Sequence, residues 1–297
     1  LRKFGDELFV VNRTSNNVTI LNATTFALVE QLATGAATNP QDVAVHGSKL
    51  YVPALSGKGV LVLTRGSTTV TEIDLSADDP DGKPNCESVY LVDTMLFVAC
   101  GLLDDADPFL SPRGPGRVYV IDTATDTRTA TVTLTSKNPL GLFERSPVGS
   151  SLGGDLVIPT VDFGANNAGC IERISTGATP AANGCVVTNA ALGGFANRVD
   201  FQTAETGEVM LWLAVSEAFP NASLRGYDLA ASSLWDPITP MTQVITDVIG
   251  CPGGRVVVAD QKMDAAGIRV LENTVEKTTT PLNIGLAPKS AHGLVCY

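Results

Sequence analysis

Charge is scarce in this sequence. Asp, Glu, Lys and Arg make up 17% of its 297 residues, aromatic side chains 6%, and there are two histidines, His46 and His292. With 44% hydrophobic residues the chain has material for a sizeable core, which excludes a disordered polymer. Long runs of Ala, Leu, Glu and Lys are missing, whereas Thr, Val, Gly and Asn recur, a composition of pleated strands and tight turns. The longest apolar stretch, Val89 to Leu103, is broken by Asp93 and Thr94 and is too short to span a bilayer as a helix. There is no basic stripe, and 20 basic against 31 acidic residues give a net charge of −11. That field repels phosphate backbones and anionic surfaces, so no nucleic-acid partner is expected. No linker or charge block divides the chain, which reads as one domain, 1–297. It opens almost directly in strand-like sequence, Leu8-Phe9-Val10-Val11, so any leader is expected to have been removed. The six cysteines form no CxxC motif and no cluster with histidine. An even count of this kind predicts disulfides and an exported protein, periplasmic, extracellular or at the cell surface.

What is present is a repeat. An apolar motif returns as Leu8-Phe9-Val10-Val11, Leu50-Tyr51-Val52-Pro53 and Leu96-Phe97-Val98-Ala99. It recurs as Leu156-Val157-Ile158-Pro159, Leu211-Trp212-Leu213-Ala214 and Val256-Val257-Val258-Ala259. Each copy is followed by a loop and a second apolar segment, then usually by a Thr-rich turn and a more polar strand. An Asn- or Pro-flanked segment precedes most copies, clearest at Asn39-Pro40 and Asn138-Pro139. Each unit therefore reads as four short antiparallel strands, the pattern of a propeller blade, and six units average about 50 residues. The fold class expected is an all-β, six-bladed β-propeller, with blades near 1–35, 39–76, 85–135, 138–189, 195–245 and 247–285. The chain starts at what reads as a second strand, so residues 290–297 are expected to complete the first blade and close the ring.

The segment Gly116-Arg117-Val118-Tyr119-Val120-Ile121-Asp122-Thr123, continuing through the Thr-rich stretch to Leu134, resembles the YVTN-type β-propeller repeat family. So does Asn39-Pro40 leading to Leu50-Tyr51-Val52. The resemblance covers nearly the whole chain, although the fourth and fifth units are degenerate and carry long insertions. It implies a secreted, periplasmic or cell-surface propeller, usually without an assigned reaction; the fold hosts many functions.

On the blade map Cys86 opens the first strand of the third blade and Cys100 ends its second, which places them side by side. Cys170 and Cys185 flank a hairpin in the fourth blade. Cys251 and Cys296 are paired by remainder, tying the C-terminal strand to the sixth blade.

Several residues are candidates for chemistry. Asn39, Asn85, Asn138, Asn197 and Asp247 precede inner strands, and Glu87 lies just beyond Asn85. Carboxylate and amide oxygens converging at a channel mouth suit calcium, with Glu87, Asn138, Asn197 and Asp247 as ligands, an arrangement similar to six-bladed calcium-dependent lactonases and esterases. Asn before Pro or before a strand is also an ordinary turn former. Asp79 and Asp81 in one loop, with Asp104, Asp105 and Asp107 in the next, read first as solvated acidic loops and second as a looser surface calcium candidate. The first loop is not an EF-hand, because Ala77 and Ser88 fall at essential ligand positions. Gly149-Ser150-Ser151-Leu152-Gly153 matches G-x-S-x-G but lies between strands, without the strand-to-helix elbow the motif needs. His292, at the start of the closing strand, is the one general-base candidate. Four Asn-x-Ser/Thr sequons, at Asn12, Asn17, Asn22 and Asn221, bear on function only in a host that glycosylates.

Phe109, Phe163 and Phe219 fall in the long loops of blades three to five, where such rings either meet a partner or plug the gaps under their own loops. The leading expectation is a non-enzymatic binding propeller that recognises a protein or glycan through the insertions 101–116, 161–169 and 216–226. The alternatives are a calcium-dependent lactonase- or esterase-type hydrolase and a structural subunit of a surface assembly.

Overall fold

The computed structural model describes residues 1–165, 167–218, 221–238, 244–262, 264–272, 274–285, 287–288 and 293–296. It contains six four-stranded antiparallel sheets, each built from consecutive strands. The first holds β1 (Arg2–Phe4), β2 (Glu7–Asn12), β3 (Asn17–Asn22) and β4 (Leu28–Ala33); the second holds β5 (Ala44–His46), β6 (Lys49–Pro53), β7 (Gly59–Thr64) and β8 (Val70–Asp74). The third comprises β9 (Cys86–Val92), β10 (Met95–Cys100), β11 (Pro115–Asp122) and β12 (Thr127–Lys137); the fourth comprises β13 (Glu144–Arg145), β14 (Leu156–Pro159), β15 (Cys170–Ile174) and β16 (Ala182–Thr188). The fifth has β17 (Phe195–Thr203), β18 (Val209–Ser216), β19 (Ala222–Asp228) and β20 (Ser233–Leu234), and the sixth β21 (Ile245–Cys251), β22 (Arg255–Asp260), β23 (Gly267–Glu272) and β24 (Val275–Glu276). These are the blades of a six-bladed β-propeller, nearly all β, with a single four-residue α-helix, Asn189–Leu192, among the described residues.

The chain divides into two compact units: Leu1–Phe143 with Asp162–Gly164 and Gly177–Ala182, and the remainder, Glu144–Val161, Ala165–Thr176 and Asn183–Tyr297. Sheets one to three lie in the first. Sheets four to six lie in the second, apart from the opening residue of β16. Within each unit the apolar repeat motifs become second strands covered on both faces. That is why they read as continuous hydrophobic runs rather than alternating ones. In β10 every residue after Met95 is buried, and β18 is buried from Met210 to Val215. The outer strand β12 alternates instead, burying Val132 and Leu134 and leaving its threonines outside. The core lies between adjacent sheets. Phe9, Val18, Ile20, Leu50, Val52 and Leu63 form one cluster, and Met210, Trp212, Leu224, Val248 and Val258 another. Full burial of each such side chain contributes about 1.5–3 kcal/mol.

All three disulfides pair as the blade map predicts, Cys86 with Cys100, Cys170 with Cys185 and Cys251 with Cys296. One expectation is corrected. The first sheet takes its inner strand from Arg2–Phe4, so the chain does not start at a second strand, and the described residues 293–296 belong to no strand. The cause is local. Gly5 at φ 56° turns the chain into a tight hairpin, pairing Phe4 with Glu7, and a three-residue strand of Arg, Lys and Phe carries no apolar signature. The C-terminal residues are instead fastened to the sixth sheet by the Cys251–Cys296 bond and by Leu294, whose amide donates to Asp247 Oδ2 at 2.9 Å.

Candidate functional site

The insertion between β10 and β11 is the most exposed apolar feature of the first unit, yet it is tightly held. Its base is tied by amide bonds from Gly101 and Leu102 to the Asn85 and Pro84 carbonyls and by a bridge between Leu103 and Pro112. Asn85, in a left-handed turn at φ 52°, accepts the Leu103 amide at 2.8 Å and donates to Asp105 at 2.9 Å. Arg113 then gathers Asp79 at 2.8 Å, Asp81 at 2.8 Å and Asp104 at 2.7 Å, and Lys83 meets Asp105 at 2.8 Å. At the tip, Asp107 accepts the Phe109 amide at 3.0 Å, and its carbonyl takes the amide of Leu110 at 2.9 Å. This framework presents Phe109 at 85% exposure beside Leu110 at 42%. Phe163, 52% exposed, opens a 3-10 turn in the same unit, and Asp162 before it pairs with Lys137 at 2.9 Å. Phe219 lies outside the described residues, as does His292.

The acidic side chains expected to bind calcium are therefore occupied. Burial, ahead of the neighbouring Asp81, pushes the Asp79 carboxyl up, and its Oδ2 is buried without a partner. Burial also acts to raise Asp81, but the Arg113 hydrogen bond and the backbone amides of Asp105 and Lys83 outweigh it and hold Asp81 low. Asp107 is held low by the Ser111 hydroxyl and the Phe109 amide. Among the described residues no three His, Cys, Asp or Glu side chains converge as a metal site. A calcium ion in these loops would have to displace Arg113 from three carboxylates.

Of the other proposed calcium ligands, Glu87 and Asn138 belong to the first unit, Asn197 and Asp247 to the second. Glu87 lies within β9; burial pushes its carboxyl up to about 7, against the Gly141 amide and the nearby Arg13 charge. Asn138 is buried at φ 42° before Pro139, a turn position like Asn39 at φ 50°. Asn197 and Asp247 lie inside inner strands rather than before them. Asn197 sits at a bulge in β17 and donates to Ser216 Oγ and to the Ile245 carbonyl, leaving its Oδ1 buried and unpartnered. Asp247 is buried in β21, with Oδ1 on Arg198 Nε at 3.0 Å and on the Val248 amide at 3.0 Å, and Oδ2 on the Leu294 amide. Ser151 of the G-x-S-x-G match sits in a turn and donates to the Leu229 carbonyl at 3.0 Å.

Sequence reasoning missed a recurring device built on these inner strands. Asp42 just before β5, Asp200 in β17 and Asp247 in β21 each accept the amide of the following residue and a second amide about one blade length further along the chain. The second partners are Val89, Gly250 and Leu294, at separations of 47, 50 and 47 residues. The available signal was an Asp followed by an apolar residue, Val43, Phe201 or Val248, near each inner strand. Close approach is required for such a reach. A Cβ on Gly250 would meet the Phe201 carbonyl oxygen at 2.3 Å, so only glycine fits there.

The comparisons bear on the fold. A solved structure of the Dos1 propeller is similar to this chain with a TM-score of 0.61 at 11% identity, covering 82% of this chain and 60% of that one. The fold is a propeller. A chain from the nidogen/laminin complex matches with a TM-score of 0.55 at 14% identity, over 93% of each chain. Hydrazine synthase of Kuenenia stuttgartiensis matches with a TM-score of 0.58 at 16% identity, over 90% of this chain and 74% of that one. At such identities likeness extends to the fold alone. No family model matches the chain, the YVTN-type repeat included, and no curated protein matches it.

Proposed function

We propose that this chain is a non-catalytic, exported propeller that binds a protein partner through the insertion loops of its third to fifth blades. The observation that carries this reading is the stapled loop 101–115. An exposed phenylalanine normally costs solubility, but here four ion pairs hold its loop in place. Ordering a loop before binding lowers the entropy lost on association, and aromatic anchors dominate interface energies. The likeness to a chain solved within the nidogen/laminin complex supports a protein partner. Export rests on the three disulfides, which suit an oxidising compartment. No helix among the described residues is long and apolar enough to cross a membrane. The YVTN-type repeat and a cell-surface location belong to the same proposal, and a glycan partner is its weaker form. A calcium-dependent hydrolase is the less favoured reading, because Asp247 already serves Arg198 and two amides.

The test is capture from the extracellular fraction of the producing organism with wild-type protein and a Phe109→Ala/Phe163→Ala variant. The proposal expects a partner retained by the wild type and lost by the variant, with the unfolding midpoint of the two proteins equal. Equal capture by both would overturn it.

A further inference from the structure

Two adjoining clefts open in the first unit, of about 580 and 590 Å³, with Ala37 and Ser56 lining both. Neither is formed by the aromatic loops. The first is lined by Arg13, Thr14, Asn16, Ala37, Asn39 and Ser56, with no acidic side chain, although the protein as a whole carries a net charge of −11.

The wall of this cleft is rigid. Asn16 Oδ1 accepts from Thr38 Oγ1 at 3.1 Å and from the Asn39 amide at 3.0 Å. The Leu55 and Ser56 amides donate to the Asn39 and Thr38 carbonyls, each at 3.2 Å. Held this way, Ala37 adopts φ 56°. A left-handed alanine costs about 1–2 kcal/mol, and strain of this kind gathers where a backbone is shaped for a ligand.

Arg13 makes one long bond, from Nε to Asn39 Oδ1 at 3.4 Å, and joins no ion pair among the described residues. Its charge acts on the Glu87 carboxyl, which burial nevertheless pushes up to about 7. Asn39 Oδ1 is taken by Gln41 and Arg13, while neither Asn39 Nδ2 nor the Ser56 hydroxyl has a partner among the described residues. In the adjoining cleft Lys58 Nζ lies 3.8 Å from Asp74 with its side chain 63% exposed, while Glu72 is engaged by the Lys58 amide at 2.7 Å.

An unpaired guanidinium selects a carboxylate in bidentate geometry, and an amide and a hydroxyl beside it select ring hydroxyls. We propose that this cleft binds an acidic sugar, its carboxylate on Arg13 and its hydroxyls on Asn39 and Ser56. The site is independent of the aromatic loops.

Isothermal titration of the full chain with glucuronate tests it, with glucose and sulfate as separate probes. Glucuronate is expected to bind with Kd on the order of 1 mM, an affinity suited to a few polar contacts. Glucose and sulfate should each bind at least about tenfold more weakly, since one lacks the charge and the other the hydroxyls. Arg13→Gln should lose about tenfold or more in glucuronate affinity, and Ser56→Ala a smaller factor, with unfolding midpoints unchanged. Arg13→Lys keeps the charge without the fork and should fall between wild type and Arg13→Gln. Sulfate binding as tightly as glucuronate would reduce the cleft to a general anion patch and overturn the proposal. Glucose equal to glucuronate, an unaltered Arg13→Gln, or no saturation at ligand concentrations about tenfold above that Kd would overturn it too.

Discussion

The two units link successive blades by the same connection under different electrostatics. In the first, Asp42 is buried against Arg2, whose Nε and Nη2 lie 2.9 and 3.0 Å from its two oxygens, and it also accepts from Ser88 and the Val89 and Val43 amides. Burial alone would raise this carboxyl, but the Arg2 charge and hydrogen bond, with the two amides, hold it below the usual carboxylate range. In the second unit one guanidinium serves a crowd. Arg198 meets Glu144 at 2.5 Å and Asp247 at 3.0 Å, with Asp200 close enough to feel both Arg198 and Glu144. Burial, then Glu144, pushes Asp200 up to about 7, and burial raises Asp247 despite Arg198. One cation per carboxylate makes a latch that is permanently charged. One cation for three makes a latch that keeps a proton near neutrality.

The largest effect should come from Arg198→Ala, which removes the cation shared by Glu144, Asp200 and Asp247. A loss of about 3–5 kcal/mol is expected at pH 8, and a smaller one at pH 5, where Asp200 is protonated. Denaturant unfolding at the two pH values measures it; an equal loss at both would mean the guanidinium acts by packing alone.

Asp42→Asn should cost about 1–3 kcal/mol at neutral pH by leaving Arg2 unpaired. Because the folded state lowers this carboxyl, its contribution is present above the ordinary Asp range and lost as the pH falls through the lowered value. The variant and the wild type should therefore converge in stability on acidification, and parallel curves would remove Asp42 from the acid limb.

Asp200→Asn should be told by its pH profile rather than by the size of its effect at one pH. The folded state keeps the Asp200 proton to about pH 7 while the unfolded chain releases it near 3.8. Its stabilisation is present below that lower value and is lost as the pH rises through 7, with a slope of at most about 1.4 kcal/mol per pH unit. The variant should lack this slope, so that it is less stable than the wild type at pH 5 and no less stable at pH 8. Parallel curves would break the contrast between the units.

Much of the fold was legible because it rests on local pattern. Six copies of a strand motif, about 50 residues apart on average, are readable without contacts, since each second strand must be apolar on both faces. The cysteine pairs were legible for a related reason: the first two close hairpins of 14 and 15 residues. The first strand was not, because three residues paired through Gly5 carry no periodicity. Nor was the role of Arg113, which is separated from Asp79 by 34 residues and differs from any other arginine only in where its loop returns.

By itself, then, the sequence determined the blade count, the four-strand unit, the disulfide pairs and the position of an exposed aromatic loop. Apart from the third disulfide, which is assigned by elimination, these follow from hydrophobic spacing and short-range turns. Only the tertiary structure decided which carboxylates are latches, which are neutralised by Arg113 and which cleft is left with unpaired donors. Those outcomes depend on distances between residues about one blade apart, and a carboxylate's charge state is set by the burial and the cations it meets there.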